Sequence, residues 1–317
     1  MRRILLTAAA SLALMTAATA QTAKVSVTAI VEHPALDAVR DGVRDGLEEA
    51  GYKAGDNLEF TYESAQGNPA TAAQIAREFV GNSPDVIVPI STPSAQAAAA
   101  ATRDIPIVFS AVTDPVAAGL VASNEAPGGN VTGVSDLSPI TEHVALVKEV
   151  APEAEAVGFI YNPGEANSVV LLEYFREAAE KEGLSVVEAA ANKSADVQAA
   201  ARSLVGKAQA IYVPTDNTIV SALESLVAVA EENDLPLISG DTDSVERGAL
   251  ASVGFNYYEV GKQTAEVVLR VLKGENPGEI PVTFATGTDL VVNRKAAEAM
   301  GVTLPQAMIE RASKVIE

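Results

Sequence analysis

The sequence predicts an α/β protein of two doubly wound parallel-sheet lobes joined by a three-segment hinge. Three observations carry that reading. Short β-type runs end repeatedly in a polar turn that opens a helical pattern, with connections of a few residues. At 317 residues the chain is long enough for two such units, each with its own core. The rhythm is broken at three places where the chain is expected to cross between units. No solenoid-type repeat is present, so the recurrence is topological.

Taken in order, the run 25–31 leads into Glu32-His33-Pro34, and Leu36, Val39, Val43 and Leu47 then recur at helical spacing until Gly51. Asp37/Arg40 and Asp41/Arg44 form i,i+3 pairs on the opposite face. The run 60–64 leads to Gln66-Gly67-Asn68-Pro69, and 86–90 to Ser91-Thr92-Pro93-Ser94 at the head of an alanine-rich helix 94–102. The run 105–109 breaks into the polar cluster 110–114, where Asp114 is a natural N-cap and Pro115 a natural first helical residue. A polar stretch, 123–130, interrupts the rhythm before a short strand at 131–134, and a first crossing is expected at 136–139.

In the second lobe, Val169, Leu172, Phe175 and Ala179 line a helix closed by Gly183. The run 210–213 passes through Pro214 into Thr215-Asp216-Asn217 and a helix at 218–232, with Ile219, Leu223, Leu226, Val227 and Ala230 on its apolar face. The run 237–239 ends in Gly240-Asp241-Thr242-Asp243. A second crossing is expected at 254–257, before a long helix at 258–273, and a third within 274–281. The expected lobes are therefore 21–137 plus 257–280, and 138–256 plus 281–317. Two lobes hinged in this way can close on a small molecule.

Residues 1–20 read as an export signal: Arg2 and Arg3, an apolar centre, then Ala18-Thr19-Ala20 as a cleavage site near Ala20. A periplasmic location after cleavage follows as an expectation, since the apolar centre is too short to anchor the chain. There is no cysteine, which excludes disulfides, thiolate metal sites, a cysteine nucleophile and a lipidated cysteine. The formal charge is −20 and no basic cluster offsets it, so nucleic acid and anionic membrane are not expected partners. His143 stands beside Glu142 without a second residue at metal-ligand spacing, so no metal is expected. A GxSxG elbow, paired His ligands and a Walker phosphate loop are all missing, which argues against an enzyme.

Open α/β sheets bind ligands at the carboxyl ends of their strands. The polar side chains there include Ser91, Thr92, Ser94, Ser110, Thr113, Asp114, Asn162, Thr215, Asp216, Asn217, Asp241, Thr242 and Asn256, with no Arg or Lys among them. Strongly anionic ligands, which call for a guanidinium fork, are therefore disfavoured. A single carboxylate fits hydroxyls and helix N-termini, with Thr92 and Ser94 first and Thr113 second. A ligand ammonium would take Asp216 or Asp241. Both together describe an α-amino acid, whose side chain would find Phe109, Tyr161, Tyr257 or Tyr258. The expected site is Thr92, Ser94, Ser110, Thr113, Tyr161, Asp216, Asn217, Asp241 and His33. Plainer roles stand beside these: Asp216 and Asp114 as N-caps, Tyr161 and Phe109 as core, His33 as an exposed cap.

The segments VEHPALDAVRDGVRDGL (31–47), QGNPATAAQIAREF (66–79), FSAVTDPVAAGLV (109–121), PGGNVTGVSD (127–136), VPTDNTIVSALESL (213–226) and GDTDSVERGALASVGFNYYEVGKQTAEV (240–267) carry a resemblance. The chain resembles the periplasmic substrate-binding proteins of ABC transporters with the type I clamshell fold, and within them the tryptophan/tyrosine branch. The resemblance implies a monomeric solute receptor that closes on an aromatic or apolar amino acid and delivers it to an ABC permease in the inner membrane, without cofactor or catalysis. It leaves open a sensor for a chemoreceptor or kinase, and a different small solute. Many relatives carry a lipid-attached cysteine after the signal, and this sequence departs from them there.

Overall fold

The computed structural model describes residues 22–317, so the expected leader lies outside the described residues. The first lobe is laid down as β1 (Ala23–Ala29), α1 (Pro34–Glu49), β2 (Leu58–Ser64), α2 (Pro69–Asn82), β3 (Val86–Ile90), α3 (Thr92–Ala101), β4 (Ile107–Phe109) and β5 (Val131–Ser135). The second follows as α4 (Ile140–Val150), β6 (Ala156–Tyr161), α5 (Ala166–Lys181), β7 (Ser185–Ala190), α6 (Val197–Arg202), β8 (Ala210–Val213), α7 (Asn217–Val220), α8 (Leu223–Glu232), β9 (Leu237–Ser239), α9 (Asp243–Glu246) and β10 (Ala251–Phe255). The chain then returns through α10 (Tyr257–Leu272) and β11 (Thr283–Phe284), and ends in β12 (Thr288–Asn293), α11 (Arg294–Ala299), α12 (Gln306–Arg311) and β13 (Lys314–Ile316).

Two sheets result, ordered β11-β5-β4-β3-β1-β2 and β13-β12-β10-β9-β8-β6-β7. Central strands such as β3 are buried along their whole length, as expected where helices cover both faces. Each sheet has its own apolar core, and α10 packs its Val260, Val267 and Val268 into the first. The first sheet is parallel throughout. The second departs from the expected all-parallel sheet at one pair, β10 with β12, which is antiparallel. The hinge dictates this: β10 leaves the second lobe at Phe255, and β12 re-enters it beside the same residue, Thr288 opposite Phe255.

Three further expectations shift. The third crossing falls after Phe284, not within 274–281, because β11 pairs with β5 and Ile280, Val282 and Ala285 stay in the first core. The helix expected after Asp114 is a turn: Asp114 Oδ1 accepts from the backbone N–H of Val116 and Ala117 (3.1 and 2.9 Å), and Gly119 at φ +71° ends it. The helix expected at 218–232 breaks after Val220, where the Ser221 hydroxyl donates to the Thr218 carbonyl at 2.8 Å.

Within the first lobe, α1 and α10 approach almost backbone to backbone. A Cβ on Gly42 would stand 2.1 Å from the Tyr258 carbonyl, and one on Gly261 would stand 2.2 Å from the Val39 carbonyl. This contact sets where α10 begins, and its first residue, Tyr257, reaches the space between the lobes.

Candidate functional site

A cavity lies between the lobes and is lined by residues of both. The first lobe supplies His33, Ala35 and Leu36 at the start of α1, Ser91 and Thr92 at the start of α3, and Ala111 and Thr113 after β4. The second supplies Asn167 from α5, Thr215, Asp216, Asn217 and Val220 around α7, and Asp241 after β9. Two of the crossings add Asp136 and Tyr257. These positions are strand ends and helix starts, so the wall is made of free N–H groups, short hydroxyls and N-cap carboxylates. No Arg or Lys lines it.

Several polar atoms of this wall are buried without a hydrogen-bond partner among the described residues: His33 Nδ1, Ser91 Oγ, Thr92 Oγ1, Asp136 Oδ1, Asn167 Oδ1 and Thr215 Oγ1. Buried polar groups are nearly always satisfied, and leaving one unpaired costs about 1–3 kcal/mol. Their concentration here marks a surface shaped to hydrogen-bond something else. Backbone strain gathers at the same place, with Ser91 at φ +79° and Ala111 at φ +52°.

The three acids of the cavity differ in how far they are already engaged. Asp216 caps α7: Oδ1 accepts from the Ile219 N–H (2.8 Å), and Oδ2 accepts from the Asn162 N–H and the Ser168 hydroxyl (both 2.6 Å). Burial, and then the charge of Glu165, pushes its carboxyl well above the usual carboxylate range. Asp241 accepts from the N–H and hydroxyl of Ser244 (2.8 and 2.6 Å), and burial raises it. Asp136 accepts from the Tyr257 hydroxyl at Oδ2 (2.8 Å), lies close to the Thr113 side chain, and its Oδ1 has no partner among the described residues. Burial lifts it to about 6, against the Tyr257 hydrogen bond, and the nearby charge of Asp241 adds to the rise. His33 is held neutral: burial, then the positive charge of Arg247, drops it to about 3.

Of the residues expected from the sequence, His33, Thr92, Thr113, Asp216, Asn217 and Asp241 come together on this wall. Three do not. The Ser110 hydroxyl is fully buried against Thr264 (2.6 Å). Tyr161 donates to Glu188 Oε2 (2.8 Å) and packs edge-on against Phe159. Ser94, in the first turn of α3, does not line the cavity, although its Oγ, like those of Ser91 and Thr92, is buried without a partner among the described residues. Phe109 is core, and Tyr258 donates to Asp45 on the far side of α1, leaving Tyr257 as the aromatic on the wall. Asp136 and Asn167 were not among the expected site residues. Asp136 ends the motif PGGNVTGVSD and directly follows a strand, a signal that was present; Asn167 had none.

Across the cleft, Tyr174 of α5 donates to Asp114 Oδ2 at 2.8 Å, a direct bond from one lobe to the other.

Two α/β lobes of mostly parallel strands around a shared cavity give the chain the type I periplasmic binding protein fold. The chain belongs to the ABC transporter substrate binding protein family, whose pattern matches residues 24–316. It is 44% identical over 276 residues to the tyrosine-binding protein of Clostridioides difficile (strain R20291), covering 87% of this chain and 80% of that one. A Streptococcus pneumoniae ABC domain solved in complex with L-Trp is 36% identical, with a TM-score of 0.90 over 93% of this chain and 100% of that one. A ligand-free, open substrate binding protein with adhesive properties from Clostridium difficile is 42% identical, covers 93% of this chain and 99% of that one, and has a TM-score of only 0.70.

Proposed function

We propose that this chain is the periplasmic receptor of an ABC importer for an aromatic amino acid, which it encloses by hinge closure and passes to a permease. The observation that carries the reading is the set of unpaired buried polar atoms on a cavity wall with acids but no cation. The hydroxyls of Ser91 and Thr92 and the start of α3 suit an α-carboxylate. Asp136, with Asp241 beside it, suits an α-ammonium. Leu36, Ala111, Val220 and the ring of Tyr257 offer the apolar contacts an aromatic side chain needs. The relatives named for tyrosine and solved with L-Trp support the same ligand class.

Function of this kind needs no bond chemistry, no cofactor and no second copy, so the chain acts as a monomer that samples open and closed forms, with ligand stabilising the closed one. Residues 1–20 serve as the export signal. Calorimetric titration of residues 21–317 with the standard amino acids, sugars and polyamines tests this. Saturable binding of tyrosine or tryptophan is expected. Binding of sugars or polyamines alone would overturn the reading.

A further inference from the structure

Asn167 is 3% exposed, in the first turn of α5, and its amide orientation is fixed by its neighbours. The Nδ2 group donates to the Thr215 carbonyl at 2.9 Å, with Glu165 Oε2 and the Ser168 hydroxyl each at 3.3 Å. A carbonyl and a carboxylate accept only, so the nitrogen must face them and the oxygen must face away. That oxygen, Oδ1, is buried and has no partner, in a residue that lines the cavity. It is an acceptor with no proton to give, so it asks specifically for a donor.

An α-amino acid has one donor of its own, the ammonium, and the cavity already provides for it at Asp136 and Asp241 on the hinge side. Asn167 stands on the other side: its partner Glu165, and Asn217, which donates to the same carboxylate, also line a second cleft together with Pro69 and Asn192. A ligand whose ammonium is held at Asp136 has only its side chain left to offer this oxygen a donor.

We propose that Asn167 selects the side chain, its Oδ1 accepting a hydrogen bond from a donor on the aromatic ring, so that the cavity takes a phenol or an indole in preference to a bare phenyl. The inference rests on the aromatic amino acid reading above and sharpens it. A site built around a buried acceptor rejects the analogue that leaves it unpaired far better than an apolar pocket rejects a methylene.

The test is calorimetric titration of the wild-type protein with tyrosine, tryptophan, phenylalanine, 4-fluorophenylalanine and benzothienylalanine, the last two keeping ring size without the donor. Whichever of tyrosine and tryptophan binds tighter should exceed its donor-free analogue by roughly tenfold to a hundredfold. Asn167→Leu should cost tyrosine and tryptophan about tenfold or more in affinity relative to phenylalanine, bringing the three close together. Donor-free analogues binding as tightly as their parents in the wild type would overturn the proposal and leave the transport reading intact. So would an Asn167→Leu protein that loses phenylalanine as much as tyrosine, since Asn167 would then hold the ammonium or the fold. No binding of any aromatic amino acid would overturn both.

Discussion

Asp136→Asn separates the cost of a buried acid from its use. Asparagine keeps the shape and an oxygen for the Tyr257 hydroxyl, but removes the charge. Ionising Asp136 without a cationic partner is unfavourable, because its carboxyl sits at about 6 in the folded chain against 3.8 ordinarily. The folded state therefore binds more protons than the unfolded state between those values. The contribution of this group to stability is present below 3.8 and is lost as pH rises through about 6. At pH 7 that loss amounts to about 3 kcal/mol, so the ligand-free variant should melt higher than wild type. Binding should move the opposite way. A hydrogen bond to a charged group contributes about 1.5–3 kcal/mol, so the variant should bind its amino acid about 10- to 150-fold more weakly at pH 7. Wild-type affinity should be nearly full at about pH 7, fall by about half at pH 6 and by about tenfold at pH 5 as Asp136 takes up a proton; His33, neutral down to about 3, does not titrate in this window. Titration calorimetry at pH 5, 6 and 7, with thermal denaturation of the ligand-free proteins, reads both effects. Unchanged affinity and an unchanged pH profile in the variant would refute the assignment and move the ammonium to Asp241.

Three other substitutions probe the frame around the site. Gly42→Ala puts a methyl where the Tyr258 carbonyl stands 2.1 Å away, so α1 and α10 must separate at a cost of about 1–3 kcal/mol; a melting temperature equal to wild type would contradict the packing. Tyr174→Phe deletes the bond to Asp114 across the cleft and should weaken ligand binding by roughly two- to tenfold, through faster release, while the ligand-free melting temperature stays put; equal release rates would show that the bond does not hold the closed form. His143 is buried between the Tyr212 hydroxyl (2.8 Å) and the Val253 carbonyl (2.5 Å), and burial lowers it to about 4. Unfolding lets it protonate at its ordinary 6.5, so its share of stability is full above 6.5 and falls by about 2 kcal/mol by pH 5. His143→Gln should thus be less stable than wild type at pH 7, with the gap closing by about that amount at pH 5; a constant gap would refute the buried neutral ring.

What the sequence showed and what it hid divide along the range of the interaction. Strand ends and helix starts are local, so the run 210–213 followed by Asp216, or the turn at Asn68 and Pro69, was legible from spacing alone, and both residues do cap their helices. Side-chain direction was less legible. Alternation along β6 puts Tyr161 on the face of Phe159, under α5 and toward Glu188, although its position at a strand end suggested the cleft. The φ of +79° at Ser91 is imposed by the fold, and nothing in a serine announces it. Asp136 and Asn167 are brought to the cavity by the hinge and by the packing of α5 beside α7, contacts spanning 121 and 48 residues. Three aspartates reach the same wall, and only the hydrogen-bond count tells them apart. Asp216 spends Oδ1 on the start of its own helix and Oδ2 on Asn162 and Ser168, Asp241 spends both oxygens on Ser244, and Asp136 Oδ1 has no partner among the described residues. An acid that caps a helix stabilises the lobe it sits in whether or not ligand arrives. An acid buried at the crossing between lobes is stabilised only when a cation closes over it, which is how one carboxylate can couple solute binding to closure of the hinge.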